Sequence, residues 1–128
     1  MHYIYCYTNL INGKKYIGQT TNINRRKSEH LSSANNPNHK DYNALFHIKL
    51  RQYGIENFSF EILEEIDSND LDYIDAREIY WIQEKNTYVK NEKGYNLTLG
   101  GQYGARRKPG LSFDDVHKIQ ELLINSNI

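Results

Sequence analysis

Tyr3-Ile4-Tyr5-Cys6-Tyr7-Thr8-Asn9-Leu10-Ile11-Asn12-Gly13-Lys14-Lys15-Tyr16-Ile17-Gly18 is the stretch against which the rest of the chain is read. Tyr3, Tyr5 and Tyr7 alternate with Ile4 and Cys6, which is the two-residue period of a strand. Asn12-Gly13 signals a reversal, because both residues tolerate positive φ. Lys15-Tyr16-Ile17-Gly18 follows as a second short run. The stretch therefore predicts a β-hairpin with tyrosines on both arms. Tyrosine forms strands and packs well, so structure alone accounts for these rings. A chemical role for any of them needs partners from elsewhere in the chain.

At 128 residues the chain is expected to form one domain with a real core. No apolar run approaches the ~20 residues needed to span a bilayer. A secretory leader is not expected either, since no basic segment precedes an apolar one at the start. The single cysteine, Cys6, cannot form an internal disulfide and reads as a small packed side chain in a reducing compartment. The five histidines are scattered, without the ligand spacing of a zinc site. Lys plus Arg and Asp plus Glu each total 16, so zero net charge argues against bulk affinity for nucleic acid. The charges are segregated, however. Residues 12–54 carry eight basic side chains against Glu29 and Asp41, whereas residues 56–84 carry ten acidic ones and only Arg77. Such segregation permits a basic face on a neutral molecule, although solvated helix faces of opposite sign explain it equally well.

Beyond Gly18, Thr20, Thr21 and Asn22 offer N-cap oxygens for a helix starting at Ile23. Ile23, Arg26, His30 and Leu31 fall on one side of it. A guanidinium in line with an apolar stripe cannot shed its charge and must find a partner or an anion. Residues 32–40 read as a loop, and Tyr42, Leu45, Phe46, Ile48 and Tyr53 predict a second helix ended by Gly54 as a left-handed cap. A strand is expected over residues 57–66, with Phe58, Phe60 and Ile62 on one face and Ser59, Glu61 and Leu63 on the other. Ser68-Asn69-Asp70 caps a third helix whose apolar stripe is Leu71, Ile74, Trp81 and Ile82. Glu78 fills the gap in that stripe. A carboxylate aimed at packed side chains needs a cation, a metal or a proton. A pairing with Arg26 would be structural; a metal would be functional.

With these elements placed, the chain resembles the GIY-YIG nuclease family over most of its length. The first half-motif stands as Tyr3-Ile4-Tyr5, with Tyr3 where the family has glycine, and the second is intact as Tyr16-Ile17-Gly18. The family's helix-borne Arg falls on Arg26, and its aromatic residue or His, one turn later, falls on His30. Its acidic residue falls on Glu78 within Arg77-Glu78-Ile79-Tyr80-Trp81, and its late Asn on Asn96 within Gly94-Tyr95-Asn96. Tyr53-Gly54 and residues 58–64 match the connection into the third strand. Three residues alone are a weak motif; six elements in order are a strong one.

The resemblance implies an α+β fold, a small three-stranded antiparallel sheet flanked by helices. It also implies metal-dependent hydrolysis of DNA phosphodiesters, with Mg²⁺ the expected ion and Mn²⁺ a substitute. Glu78 would hold the cation, and Arg26 would stabilise charge on the phosphoryl oxygens. Tyr5 would be the general base, its pKa of ~10 lowered by metal-bound water, Lys14 or Arg26. Tyr16 would position water or phosphate, His30 would assist proton transfer, and Asn96 would orient these groups from behind. Lys14, Lys15, Arg25, Lys27, Arg106, Arg107 and Lys108 are the expected DNA-contacting residues. Tyr3 is expected to alter packing or substrate access.

The catalytic domain is expected over residues 1–101, a basic Gly-rich linker over 102–110 and a C-terminal amphipathic helix within 111–128. The linker and helix resemble the start of the DNA-binding region in the phage-borne homing branch, which implies a longer protein. A terminal helix docked on the domain is the alternative. The expected setting is the cytoplasm of a bacterial or phage-infected cell, with no membrane partner and a monomer favoured. The competing functional classes are a DNA-binding module that keeps the fold without cleaving and an interaction domain in which Arg26 and Glu78 pair with each other.

Overall fold

A computed structural model of the chain describes residues 1–89 and 94–96. The elements run β1 (His2–Asn9), β2 (Lys15–Thr20), α1 (Ile23–Asn35), α2 (Leu45–Tyr53), β3 (Phe58–Ile66) and α3 (Leu71–Glu84), with a single 3-10 turn at Ile55–Asn57 before β3. The three strands form one antiparallel sheet in the order β2-β1-β3. The expected fold class is the one observed. None of the described helices is long and apolar enough to cross a membrane. The linker and final helix, with Arg106, Arg107 and Lys108, lie outside the described residues.

The first stretch folds as the hairpin it predicts. Gly13 takes positive φ (77°) while Asn12 does not, so the reversal is a five-residue connection rather than a two-residue turn. It is closed by Asn9 N–H to the Lys14 carbonyl at 2.8 Å and Gly13 N–H to the Asn9 carbonyl at 2.7 Å. As the central strand, β1 is covered on both faces. Ile4 and Cys6 join Ile17, Ile66, Ile74 and Ile82 beneath α3, whereas Tyr5 and Tyr7 join Ala34, Phe46, Leu50 and Tyr95 beneath α1 and α2. The alternation that marked a strand thus splits the core into an aliphatic half and an aromatic half.

Strand β3 departs from simple alternation. Ile4 pairs with Glu64 but Tyr5 pairs with Ile62, so Leu63 is an extra residue that makes a bulge. Leu63 and Glu64 consequently both face α3. Leu63 packs on the aliphatic cluster, while Glu64 accepts from Arg77 Nε and Trp81 Nε1, each at 2.9 Å. Ile62, expected beside Phe58 and Phe60, is left 44 % exposed.

The helices start and end differently from expectation in several places. Asn22 is the α1 cap, its side chain accepting from Arg25 N–H at 3.0 Å. That helix runs on through residues 32–35, which composition assigned to a loop, because Ser33 and Ala34 continue the buried face begun at His30. Leu31 is outside that face and 38 % exposed. Tyr42 precedes α2, and Gly54 ends it with φ 88° and ψ 137°, a positive-φ but extended cap rather than a left-handed helical one. Asp70 caps α3 as expected; Ile74, Asp75, Glu78, Ile79 and Ile82 form its buried side, while Leu71 is exposed.

Residues 94–96 lie along the outer edge of β2. Tyr95 N–H donates to the Lys15 carbonyl at 2.8 Å, and the Tyr95 hydroxyl accepts from Asn9 Nδ2 at 3.1 Å. Asn96 acts as a two-sided clamp. Its Oδ1 accepts from Ile17 N–H at 2.9 Å and from Thr87 Oγ1 at 2.7 Å, and its Nδ2 donates to the Ile17 carbonyl at 2.8 Å. Gly94 is required there, since a Cβ would stand 2.2 Å from the Thr87 main-chain oxygen. Asn96→Ala would strand buried backbone groups of β2, so it should destabilise the fold by about 3 kcal/mol. Asn12→Ala, in the exposed turn, should cost well under half as much in the same urea unfolding experiment. Equal losses would contradict the clamp.

Candidate active site

Tyr5 sits at the middle of the central strand, opposite Gly18 on β2. The pairing explains why the Tyr-Ile-Gly run ends as it does. A Cβ on Gly18 would lie 2.4 Å from the Tyr5 hydroxyl, which belongs to a buried and rigid ring. Phe60 stacks on that ring at 5.7 Å, and Tyr7 meets it edge-on at 5.9 Å. The hydroxyl is therefore fixed in place by packing. It lies 2.7 Å from His30 Nε2 and receives a hydrogen bond from Arg26 Nε at 3.3 Å. Arg26 and His30 can both reach it because they are one helical turn apart on α1.

The partners extend further into the protein. His30 Nδ1 lies 2.8 Å from His47 Nε2, and His47 Nδ1 lies 2.8 Å from the main-chain oxygen of Asp41. Arg26 also pairs with Glu29 at 2.9 Å, which answers the demand its position in the stripe created. Tyr16 is half-buried, and its ring stacks on Phe46 at 4.2 Å, almost parallel.

An open cavity of about 400 Å³ borders these groups, with Tyr5, Tyr16, Gly18, Arg25, Arg26 and Glu78 in its wall. Glu78 arrives from α3, on the opposite face of the sheet from α1. The cavity is thus where the two helical layers meet past the edge strand. Glu78 is only 5 % exposed, yet its carboxylate charge is felt by both Tyr5 and Tyr16. Among the described residues, no group of three or more His, Cys, Asp or Glu forms a ready metal cage. One carboxylate at an open cavity nonetheless suits a hard cation that keeps most of its water shell and takes further oxygens from a phosphate.

Electrostatics give the phenols a character that the sequence did not. Burial pushes the Tyr5 phenol well above the ordinary tyrosine value, Tyr16 adds to this, and Arg26 only partly opposes it. Burial likewise raises Tyr16, against Arg26. In the free protein the Tyr5 phenol is therefore raised rather than lowered, because Arg26, the expected source of lowering that is present, does not outweigh burial. Burial holds His30 down at about 2, with Arg26 and His47 adding to the effect. Burial also lowers His47, partly offset by its bond to the Asp41 carbonyl. Tyr5 and His30 are accordingly a neutral phenol and a neutral imidazole.

The structure brings Tyr5, Tyr16, Arg26, His30 and Glu78 together and sets Asn96 behind β2, outside the cavity wall. Arg25 lines the cavity while paired with Glu29 at 3.3 Å, and Lys27 lies over the Phe60 ring at 4.4 Å. Lys14 and Lys15 are elsewhere, at the turn end of the hairpin, where Lys15 Nζ donates to Thr8 Oγ1 at 2.9 Å. Tyr3 is half-buried and is not part of the cavity wall. Sequence reading missed His47. Its one signal was a position three residues before Leu50, on the buried side of α2.

A histidine kept neutral in the fold takes up no proton below about pH 6.5, where the unfolded chain does. Its stabilisation is complete above that pH and declines as pH falls. Between pH 7 and 5 the protein should lose about 2 kcal/mol on account of His30. Urea unfolding at the two pH values, compared with His30→Gln, measures this; an identical pH dependence in both proteins would contradict it.

A model of the GIY-YIG catalytic domain matches residues 1–96. "Putative endonuclease segE" of Enterobacteria phage T4 is 31 % identical over 100 residues, covering 78 % of this chain and 42 % of that protein. This chain therefore spans less than half the length of that relative. Among solved structures, a mutant of the catalytic domain of intron endonuclease I-TevI superposes with a TM-score of 0.63 at 28 % identity, covering 77 % of this chain and 95 % of that one. A second structure of the catalytic domain of homing endonuclease I-TevI gives 0.60 at 27 % identity, covering 77 % and 99 %. With a family model spanning three-quarters of the chain and the same sheet and helices in the neighbours, the chain belongs to the GIY-YIG nuclease family.

Proposed function

We propose that this chain is a divalent-metal-dependent DNA endonuclease in which Tyr5 is the base that receives a proton from the attacking water. The observation that carries this reading is the Tyr5 hydroxyl fixed between His30 Nε2 and Arg26 Nε beside a cavity that Glu78 also lines. Its relatives' names speak of endonucleases, and GIY-YIG nucleases are generally metal-dependent. Glu78 would hold that ion, Mg²⁺ by preference with Mn²⁺ as a substitute, through carboxylate oxygens suited to a hard cation. Such an ion supplies Lewis-acid stabilisation of charge on the phosphate.

A raised pKa does not prevent Tyr5 from acting as a base, provided that it gives up one proton as it gains another. The water O–H bond breaks as a new Tyr5 O–H bond forms, and the original phenolic proton passes to His30 Nε2. No free phenolate is needed. Arg26 donates to the oxygen that carries the transient charge, and its fork also suits a non-bridging phosphate oxygen. Tyr16, braced on Phe46, orients water or phosphate at the cavity wall. Asn96 holds the Ile17 backbone, and with it the strand that carries Tyr16 and Gly18. Besides Arg26, Arg25 lines the cavity wall and Lys27 lies over Phe60 behind Tyr5, so both are candidates for contacting DNA. Lys14 and Lys15 would touch DNA only along a path reaching the hairpin turn.

Nicking of supercoiled plasmid tests the proposal. Wild type should nick only with Mg²⁺ or Mn²⁺ present. Tyr5→Phe, Arg26→Ala and Glu78→Ala should each slow single-turnover nicking by about 100-fold or more, with circular dichroism unchanged. DNA binding without nicking in wild type would return the chain to a non-cleaving module, and full nicking by all three variants would overturn this cavity as the site of cleavage.

A further inference from the structure

The hydrogens behind Tyr5 are all set by one backbone atom. The Asp41 carbonyl can only accept, so His47 Nδ1, at 2.8 Å, must carry a hydrogen. A neutral His47 then has a bare Nε2. His30 Nδ1, 2.8 Å away, must donate to it. A neutral His30 in turn leaves its own Nε2 bare, and the Tyr5 hydroxyl at 2.7 Å donates there. Four groups from β1, α1, α2 and the loop before α2 thus form a wire with a single direction.

We propose that His47 is a positioning residue for the reaction: it holds His30 in the tautomer that accepts the Tyr5 proton, and it is where that proton charge comes to rest. The step rests on the reading of Tyr5 as the base. Tyr5 loses its proton to His30 Nε2 while receiving one from water. His30 Nδ1–H passes to His47 Nε2 in the same sense. With the water included, two O–H bonds and one N–H bond break, and one O–H bond and two N–H bonds form. His30 ends neutral in its other tautomer, and His47 becomes the imidazolium. Every hydrogen bond of the wire survives, since each link keeps one donor and one acceptor.

Location favours this end point. Burial and the Arg26 charge oppose an imidazolium at both His30 and His47, but only at His47 do the Asp41 carbonyl and carboxylate work in its favour. His47 keeps its bond to the Asp41 carbonyl in either state. The charged groups that act on it are Arg26, which disfavours its charge, and the Asp41 carboxylate, which favours it; His39 and His30 are its other titratable neighbours. His47 also lines a second cavity, of about 180 Å³, with Tyr16 and Asn96, which offers a way for the proton to leave.

The test combines a spectrum with kinetics. Ring ¹⁵N NMR of the DNA-free protein at neutral pH should find His30 and His47 both protonated at Nδ1 and bare at Nε2. His47→Phe removes the acceptor with little change of volume, so the His30 resonances should move toward the Nε2–H form. Its single-turnover rate at saturating DNA should fall about 10–100-fold, as when the partner orienting a functional histidine is lost, with DNA affinity unchanged within about twofold. His47→Gln, whose amide oxygen can accept from His30 Nδ1 but cannot take up a proton, should keep the Nδ1–H signature yet recover little of the rate. It serves if the Phe variant does not fold, and a wild-type rate in it overturns His47 as the resting place of the proton. An Nε2–H His30 in wild type overturns the proposal. So does a wild-type rate in His47→Phe while Tyr5→Phe is inactive, an outcome that leaves Tyr5 as the base. A fully active Tyr5→Phe overturns the underlying reading instead.

Discussion

A phenol and an imidazole, Tyr5 and His30, meet at 2.7 Å between the sheet and the first helix, where neither is readily charged. Much of the surrounding structure can be understood as keeping that contact. Gly18 has no side chain because the Tyr5 ring lies against its backbone. The aromatic half of the core packs the ring from several sides, so its hydroxyl has one position. Asn96 clamps the strand that carries Gly18. Two buried neutral histidines destabilise an acidified protein, and the fold accepts this in exchange for a chain of aligned donors and acceptors.

The sheet also separates two requirements. Its aromatic face carries the Tyr5–His30–His47 chain of hydrogen bonds, and its aliphatic face supports α3, which presents Glu78. Only past the edge strand do the two come together, in the cavity wall shared by Tyr5, Tyr16, Arg26 and Glu78. Under the proposed function, a cation held by Glu78 would reach the phenol from the far layer, without having to enter the core. The bulge at Leu63 belongs to the same arrangement. It turns Glu64 toward α3, where Arg77 and Trp81 bind it and anchor the helix that carries Glu78.

The hairpin, the order of elements and the burial of Glu78 were all legible in the residues. Each rests on a local rule: alternation, a cap, or a charge in an apolar stripe. Arg26 was legible for the same reason as Glu78, and its link to Tyr5 came with the resemblance, but its pairing with Glu29 was not. What was missed depends on contacts between distant segments. The bulge is a matter of register between β1 and β3. Leu31 and Leu71 are apolar but stand where no neighbouring layer reaches, so hydrophobicity alone misplaced them. The sign of the Tyr5 shift follows from burial depth, which no motif encodes. His47 was hidden because half of its meaning lies in a backbone oxygen, that of Asp41.

The central claim is that Tyr5 works as a neutral phenol that gains one proton while losing another. Single-turnover cleavage in mixtures of H₂O and D₂O addresses this directly, because the dependence of rate on deuterium fraction counts the protons in flight. Transfer from water to Tyr5 and from Tyr5 to His30 in one step predicts a curved, bowed-down dependence that becomes linear or vanishes in His30→Phe. A linear dependence in the wild type, with one proton moving to a phenolate already formed, would contradict the account.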